Sequence, residues 1–146
     1  MKTLFKAEQF TPTKWDTAEQ KAKFANHFVR FVESGFKATL FSDWFYRRLS
    51  MTFGHIAYYD RGGFYEHFFT SHEGRTNFAC ITLEDGGYGD PRFTYSDVEK
   101  ALKQWVINSN LKERLSKDLT EAIERNERKE LVRLQAKYGG IKCPQM

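Results

Sequence analysis

Phe41-Ser-Asp-Trp-Phe-Tyr-Arg-Arg-Leu-Ser-Met-Thr-Phe-Gly-His-Ile-Ala-Tyr-Tyr-Asp-Arg-Gly-Gly-Phe-Tyr-Glu-His-Phe-Phe69 carries eleven Phe, Trp or Tyr residues in a single stretch. Each ring brings a large area to bury, and Tyr and Trp keep one polar handle. Such a run either builds a core or makes an adhesive surface. The second half of the stretch reads as an antiparallel hairpin over residues 55–71. His55-Ile-Ala-Tyr-Tyr59 is β-prone, Asp60-Arg61-Gly62-Gly63 is turn chemistry because glycine tolerates positive φ, and residues 64–69 return. In that register Phe64, Glu66 and Phe68 share one face, and Tyr65, His67 and Phe69 share the other. Rings on both faces predict that both are partly covered. The middle third then holds more ring surface than its own interior hides, and the surplus meets another molecule.

Working outward, residues 1–15 read as a loose arm with Trp15 as its anchor. Asp16 or Thr17 caps a helix over 17–34, with Thr17 and Gln20 in a capping box. Phe24, Phe28, Phe31 and Val32 fall on its apolar face, and Gly35 is the natural stop. Ser42 caps a second helix, 42–52, with Trp44, Phe45, Leu49 and Met51 toward the core, ended by Gly54. Residues 72–75 form a turn, 77–83 are a third strand or a short helix, and 86–91 are an irregular loop. Ser96 and Glu99 suggest a second capping box. Val98, Ala101, Leu102, Trp105 and Val106 then define a helix over 96–107. After Asn108-Ser109-Asn110, a charge-laced helix runs over 111–137. Its stripe is narrow: Leu111, Leu115, Leu119, Ala122, Ile123, Leu131, Leu134 and Tyr138. Gly139-Gly140 stops it. The expected architecture is a helix-rich α+β domain with a central antiparallel β-hairpin or small sheet and a long C-terminal helix. Residues 1–109 form the compact body, and residues 110–146 form the charged helix and tail.

The 146 residues suit one domain, and 40% hydrophobic with 29% charged content is that of a globular chain. No apolar run approaches the roughly 20 residues that span a bilayer. The first residues lack an apolar signal region, so the expected compartment is the cytoplasm, without membrane contact. There Cys80 and Cys143 stay thiols, and they form no close-spaced metal pattern. The net charge of +4 permits nucleic acid or an acidic protein face as partner without demanding either.

Several clusters invite a chemical reading. His55, Asp60, Glu66 and His67 on the hairpin hold His and carboxylate groups of the kind used as general acid and base in a small hydrolase or nuclease, or to hold a divalent metal. The plainer reading is a sheet whose polar positions face water. His67 and His72 with Glu66 and Glu73 have zinc-ligand chemistry, but at i, i+5 across a turn and without a zinc signature. The glycines of 84–91 lie between acidic residues that would repel phosphate, and no Lys-Ser/Thr follows. Lys14, Lys21, Lys23, Arg30, Lys37, Arg47, Arg48, Arg61 and Arg75 with interleaved rings suit single-stranded nucleic acid, yet charge runs more often face solvent. Cys80 in an apolar run reads as a small core residue rather than a nucleophile. The last helix, with its thin stripe, suits a partner or a second copy of the chain.

Three segments, residues 22–36, 48–60 and 88–98, resemble parts of small uncharacterised proteins carried by phages and plasmids, a likeness covering roughly residues 20–107. It implies context more than chemistry: such accessory proteins inhibit host defences by binding a host complex, and no residue roles carry over. The expected function is a non-enzymatic accessory protein that binds a host protein or ribonucleoprotein complex. Inhibition of a nucleic-acid-targeting defence system of the anti-CRISPR or anti-restriction type fits that role, with no metal and no cofactor. Tyr58, Tyr59, Arg61 and Tyr65 at the hairpin and Arg125, Arg128 and Arg133 on the last helix are the expected contact residues, because Tyr, Trp and Arg dominate interface energetics. Direct DNA or RNA binding is the alternative, and a homodimer through the last helix is compatible with either.

Overall fold

A computed structural model describes residues 4–53, 60–83 and 89–138. Among them the chain is helical throughout, with no strand. The helices are α1 (Ala18–Glu33), α2 (Asp43–Phe53), α3 (Arg61–Phe69), α4 (His72–Leu83), α5 (Ser96–Asn108) and α6 (Leu111–Lys137), with single 3₁₀ turns at Ala7–Gln9 and Ala38–Leu40. The expected α+β fold with a central hairpin is therefore wrong. The segment with turn and returning-strand chemistry is α3.

The reason lies in periodicity. Read as a strand, residues 64–69 put a charge between rings on each face. Wound as a helix, the same residues bury Phe64, Phe68 and Phe69 and leave Glu66 and His67 outside. Burying three rings outweighs the helix cost of Gly62 and Gly63, about 1 kcal/mol each against alanine. Asp60, expected in a turn, is the N-cap: its carboxylate accepts the Gly63 N–H at 2.6 Å. Residues 77–83, left between strand and helix by the sequence, lie inside α4.

α1 begins and ends as its residues dictate. Thr17 accepts the Gln20 N–H at 3.1 Å, and the Gln20 side chain accepts the Thr17 N–H at 2.6 Å. Its C-terminus closes in a Schellman turn. Gly35 sits at φ +80°, the Gly35 N–H donates to Val32 O, and the Phe36 N–H donates to Phe31 O. The Phe31 and Phe36 rings meet edge to face at 5.5 Å, the apolar contact that accompanies this motif.

Rings fill the interior. Phe31 lies 5.3 Å from Phe45 and 4.9 Å from Phe69, which in turn meets Phe78 at 4.9 Å. None of the nine described rings within residues 41–69 is exposed. Six are buried, and Trp44, Tyr46 and Tyr65 are partly covered. The expected surplus of ring surface in this segment is thus absent among the described residues. Met51, assigned to the core, is exposed on α2, and Thr52 and Phe53 are buried in its place.

α3 packs on α4, and α6 packs on α4 and α5 through its first turns. Leu111 and Leu115 are buried, Leu119 and Ala122 half-buried, and every residue from Ile123 to Tyr138 is exposed. At 100° per residue, Leu131, Leu134 and Tyr138 point roughly opposite to Leu111, so the stripe read as continuous turns away from the body. No helix among the described residues is long and apolar enough to cross a membrane.

Candidate interaction surface

Among the described residues, some of those expected to act together stand apart and others meet. His55, Tyr58 and Tyr59 lie outside the described residues. Asp60 is engaged in capping α3, while Glu66 and His67 are exposed some six residues on, about 9 Å along the helix axis. His67 and His72 belong to different helices, α3 and α4. Among the described residues no three His, Cys, Asp or Glu side chains converge as metal ligands. Arg61 and Tyr65 do share a site, a shallow cavity of about 180 Å³ lined also by Ala38, Phe41 and Gly62. Tyr65 is half-buried there and donates its hydroxyl to Phe36 O at 2.6 Å, and Arg61 reaches Phe41 O at 3.4 Å. Both side chains thus tie α3 to the segment after α1.

Two features went unread in the sequence. Lys21, taken as a surface cation, is fully buried and donates to Pro91 O at 2.8 Å, Thr94 O at 2.9 Å and Asp97 at 2.9 Å. Asp97 also accepts the Thr11 N–H at 2.9 Å, so one ion pair ties the N-terminal arm and the loop before α5 to α1. Lys21 stands three and seven residues before Phe24 and Phe28, on the apolar face of α1, and that spacing was the available signal. Beside it, Arg48 pairs with Asp16 at 3.0 Å and lies over the Trp44 ring. Tyr95, buried against this group, has its phenol pushed up to about 12, first by burial, then by the Asp16 carboxylate, with Arg48 pulling the other way. The network matches its own charges and serves as a brace.

The brace leaves rings at its edge. Trp15, expected to anchor the arm, is 69% exposed, and Phe93 is 59% exposed. Phe5 and Phe10 hold the arm instead, both buried. The second capping box also fails to form. Tyr95 occupies the cap position of α5, and the Ser96 hydroxyl donates to Gly89 O at 2.6 Å.

The distal half of α6 is the largest uncovered element. Arg125, Lys129 and Arg133 follow one another at i, i+4 and i+8, so they form one basic line. Arg133 is held by Glu130, whose carboxyl it lowers below the usual range through their hydrogen bonds. Arg128 stands apart from that line, near Glu124 at 3.6 Å. On the other side Glu124, Glu127, Arg128 and Leu131 line an open groove, and Leu134 and Tyr138 continue it, 37% and 43% exposed.

No family model matches this sequence, and no curated protein or solved structure matches it.

Proposed function

We propose that this protein works by contact rather than by turnover. It is an accessory protein of a mobile element, and the projecting half of α6 engages a host protein or ribonucleoprotein complex, as an inhibitor of a nucleic-acid-targeting defence system would. The observation that carries the reading is the exposure of all residues of α6 from Ile123 onward, apolar side chains included. A helix that extends about 24 Å past its last covered residue contributes little to the stability of its own body, because helical stability in proteins comes mostly from tertiary packing. Arg125, Lys129 and Arg133 supply the face for an acidic partner surface. The sequence likeness to phage and plasmid accessory proteins supplies the class of partner.

The test is affinity capture from host lysate with and without nuclease, comparing the wild-type chain with Arg125→Glu/Lys129→Glu/Arg133→Glu. A protein complex retained after nuclease and lost in the variant supports the reading. Equal capture by both chains removes α6 as the contact element.

A second reading, direct binding of single-stranded nucleic acid, is favoured by one observation. Trp15 and Phe93 are exposed, and each stands beside a cation: Lys14 precedes Trp15 in the chain, and the Arg92 guanidinium lies 5.9 Å from the Phe93 ring centre. It requires an affinity for a labelled oligonucleotide that falls steeply with salt, because phosphate contacts release counterions. Absence of binding at low salt removes it.

A further inference from the structure

We propose that the grooved side of distal α6 is a self-association seam on which a second copy of the chain docks antiparallel. This rests on reading the projecting half of α6 as a contact element. It names the occupant of the side that the basic line leaves free.

The groove supplies the first argument. Glu124, Glu127, Arg128 and Leu131 stand at i, i+3, i+4 and i+7. Four residues so spaced form the hole that receives one side chain of a facing helix. Leu131 is both a wall of the hole and a knob, 55% exposed, with Leu134 and Tyr138 following it along the same side. A surface holding both socket and knob is complementary to itself, and a two-fold axis satisfies both copies at once.

Charge supplies the second argument and fixes the orientation. On the groove side Glu124 and Glu127 precede Arg128, while Asp118, Arg125, Lys129 and Arg133 stand on the opposite side of the helix. An in-register parallel pair would set Glu124 and Glu127 against their own copies. An antiparallel pair with its axis between residues 127 and 128 sets Glu127 near the partner's Arg128 instead, and brings the partner's Leu131 over the Glu124–Glu127 end of the groove.

Sedimentation velocity on the full chain, over a concentration series at low and high salt, tests the seam. The wild-type chain is expected to form a reversible dimer that weakens as salt rises. Leu131→Asp is expected to abolish it with the helical circular dichroism of the chain kept. Glu127→Arg and Arg128→Glu each place like charges across the axis and are expected to weaken the dimer about tenfold or more, and the double variant restores opposite charges and recovers it. A chain monomeric throughout, a dimer indifferent to Leu131→Asp, or a double variant no tighter than the single ones overturns the proposal. A monomeric wild-type chain whose lysate capture is still lost in the basic-line variant sinks the seam alone. A dimer that behaves as expected, with capture untouched by that variant, sinks the host-contact reading alone.

Discussion

The ring-filled body and the outer half of α6 treat apolar side chains in opposite ways. In the body, Phe31, Phe41, Phe64 and Phe69 stand within 6 Å of several rings each, and all are buried. Beyond Ala122, Leu131, Val132 and Leu134 are exposed although they belong to the same helix as buried Leu111 and Leu115. Apolar content does not separate the two regions. Phase does. The first turns of α6 present their leucines toward α4 and α5, and the later ones have rotated off that surface after the body has ended. A side chain's burial is set by where the helical period carries it relative to a neighbour, and an exposed apolar run on a helix that outlasts its support is a surface kept for something outside the fold.

The largest effect expected on this contrast falls on the body. Phe69 lies 4.9 Å from both Phe31 and Phe78 and is fully buried, so Phe69→Ala is expected to cost about 3–5 kcal/mol by denaturant unfolding. Next is the seam between α3 and α4. A Cβ on Gly74 would stand 2.5 Å from His67 O and 2.9 Å from Phe68 O, both backbone atoms that cannot swing aside. Gly74→Ala is expected to push the two helices apart and cost up to about 3 kcal/mol, read as a lowered denaturation midpoint. A third expectation concerns pH. The Tyr95 phenol ionises near 12 in the folded chain and near 10.0 when unfolded. The neutral phenol is thus favoured by folding. Its contribution, on the order of 2 kcal/mol, is fully present below pH 10 and is lost as pH rises toward 12. Tyr95→Phe should flatten the alkaline limb of the stability profile.

How far the sequence discloses this arrangement depends on whether local and tertiary preferences agree. They agree in α1, where Thr17, Gln20 and Gly35 mark both ends and the phenylalanines recur at helical spacing. They agree at Asn108-Ser109-Asn110, where Asn110 takes a left-handed conformation that Asn tolerates, and α5 gives way to α6. They conflict in α3. Gly62, Gly63 and the aromatic run favour a hairpin locally, and the core overrides them because only a helix separates Phe64, Phe68 and Phe69 from Glu66 and His67. The mixture of ring and charge on each face of the supposed strand was the visible warning. Lys21 hides for a related reason: a charge reads as solvated, although a place between ring positions on an apolar face asks for a buried partner. Asp97, which supplies that partner, stands 76 residues away, a separation no local pattern reports. Of the contact residues expected on the hairpin, Arg61 and Tyr65 stand on α3 instead, and Tyr58 and Tyr59 lie outside the described residues. Those on α6 did not depend on the hairpin, but Arg125 and Arg133 proved to lie on a different side of the helix from Arg128.

The smallest effect is the one that divides α6 most cleanly. Leu115 and Leu131 are the same residue type on one helix, the first buried and the second exposed. Leu115→Ala removes packing from the body and is expected to cost about 2–3 kcal/mol at any protein concentration. Leu131 is more than half exposed, so Leu131→Ala removes little packing among the described residues. In dilute solution it should leave stability within about 0.5 kcal/mol of the wild type. At concentrations where copies pair, the wild-type chain gains stability by mass action and the Leu131→Ala chain gains less, so the gap between them should widen with concentration. Denaturant curves for both variants at low and high protein concentration read this directly. A concentration-independent loss at Leu131 equal to that at Leu115 would place the outer half of α6 inside the cooperative body after all, and the contrast between the two regions would collapse.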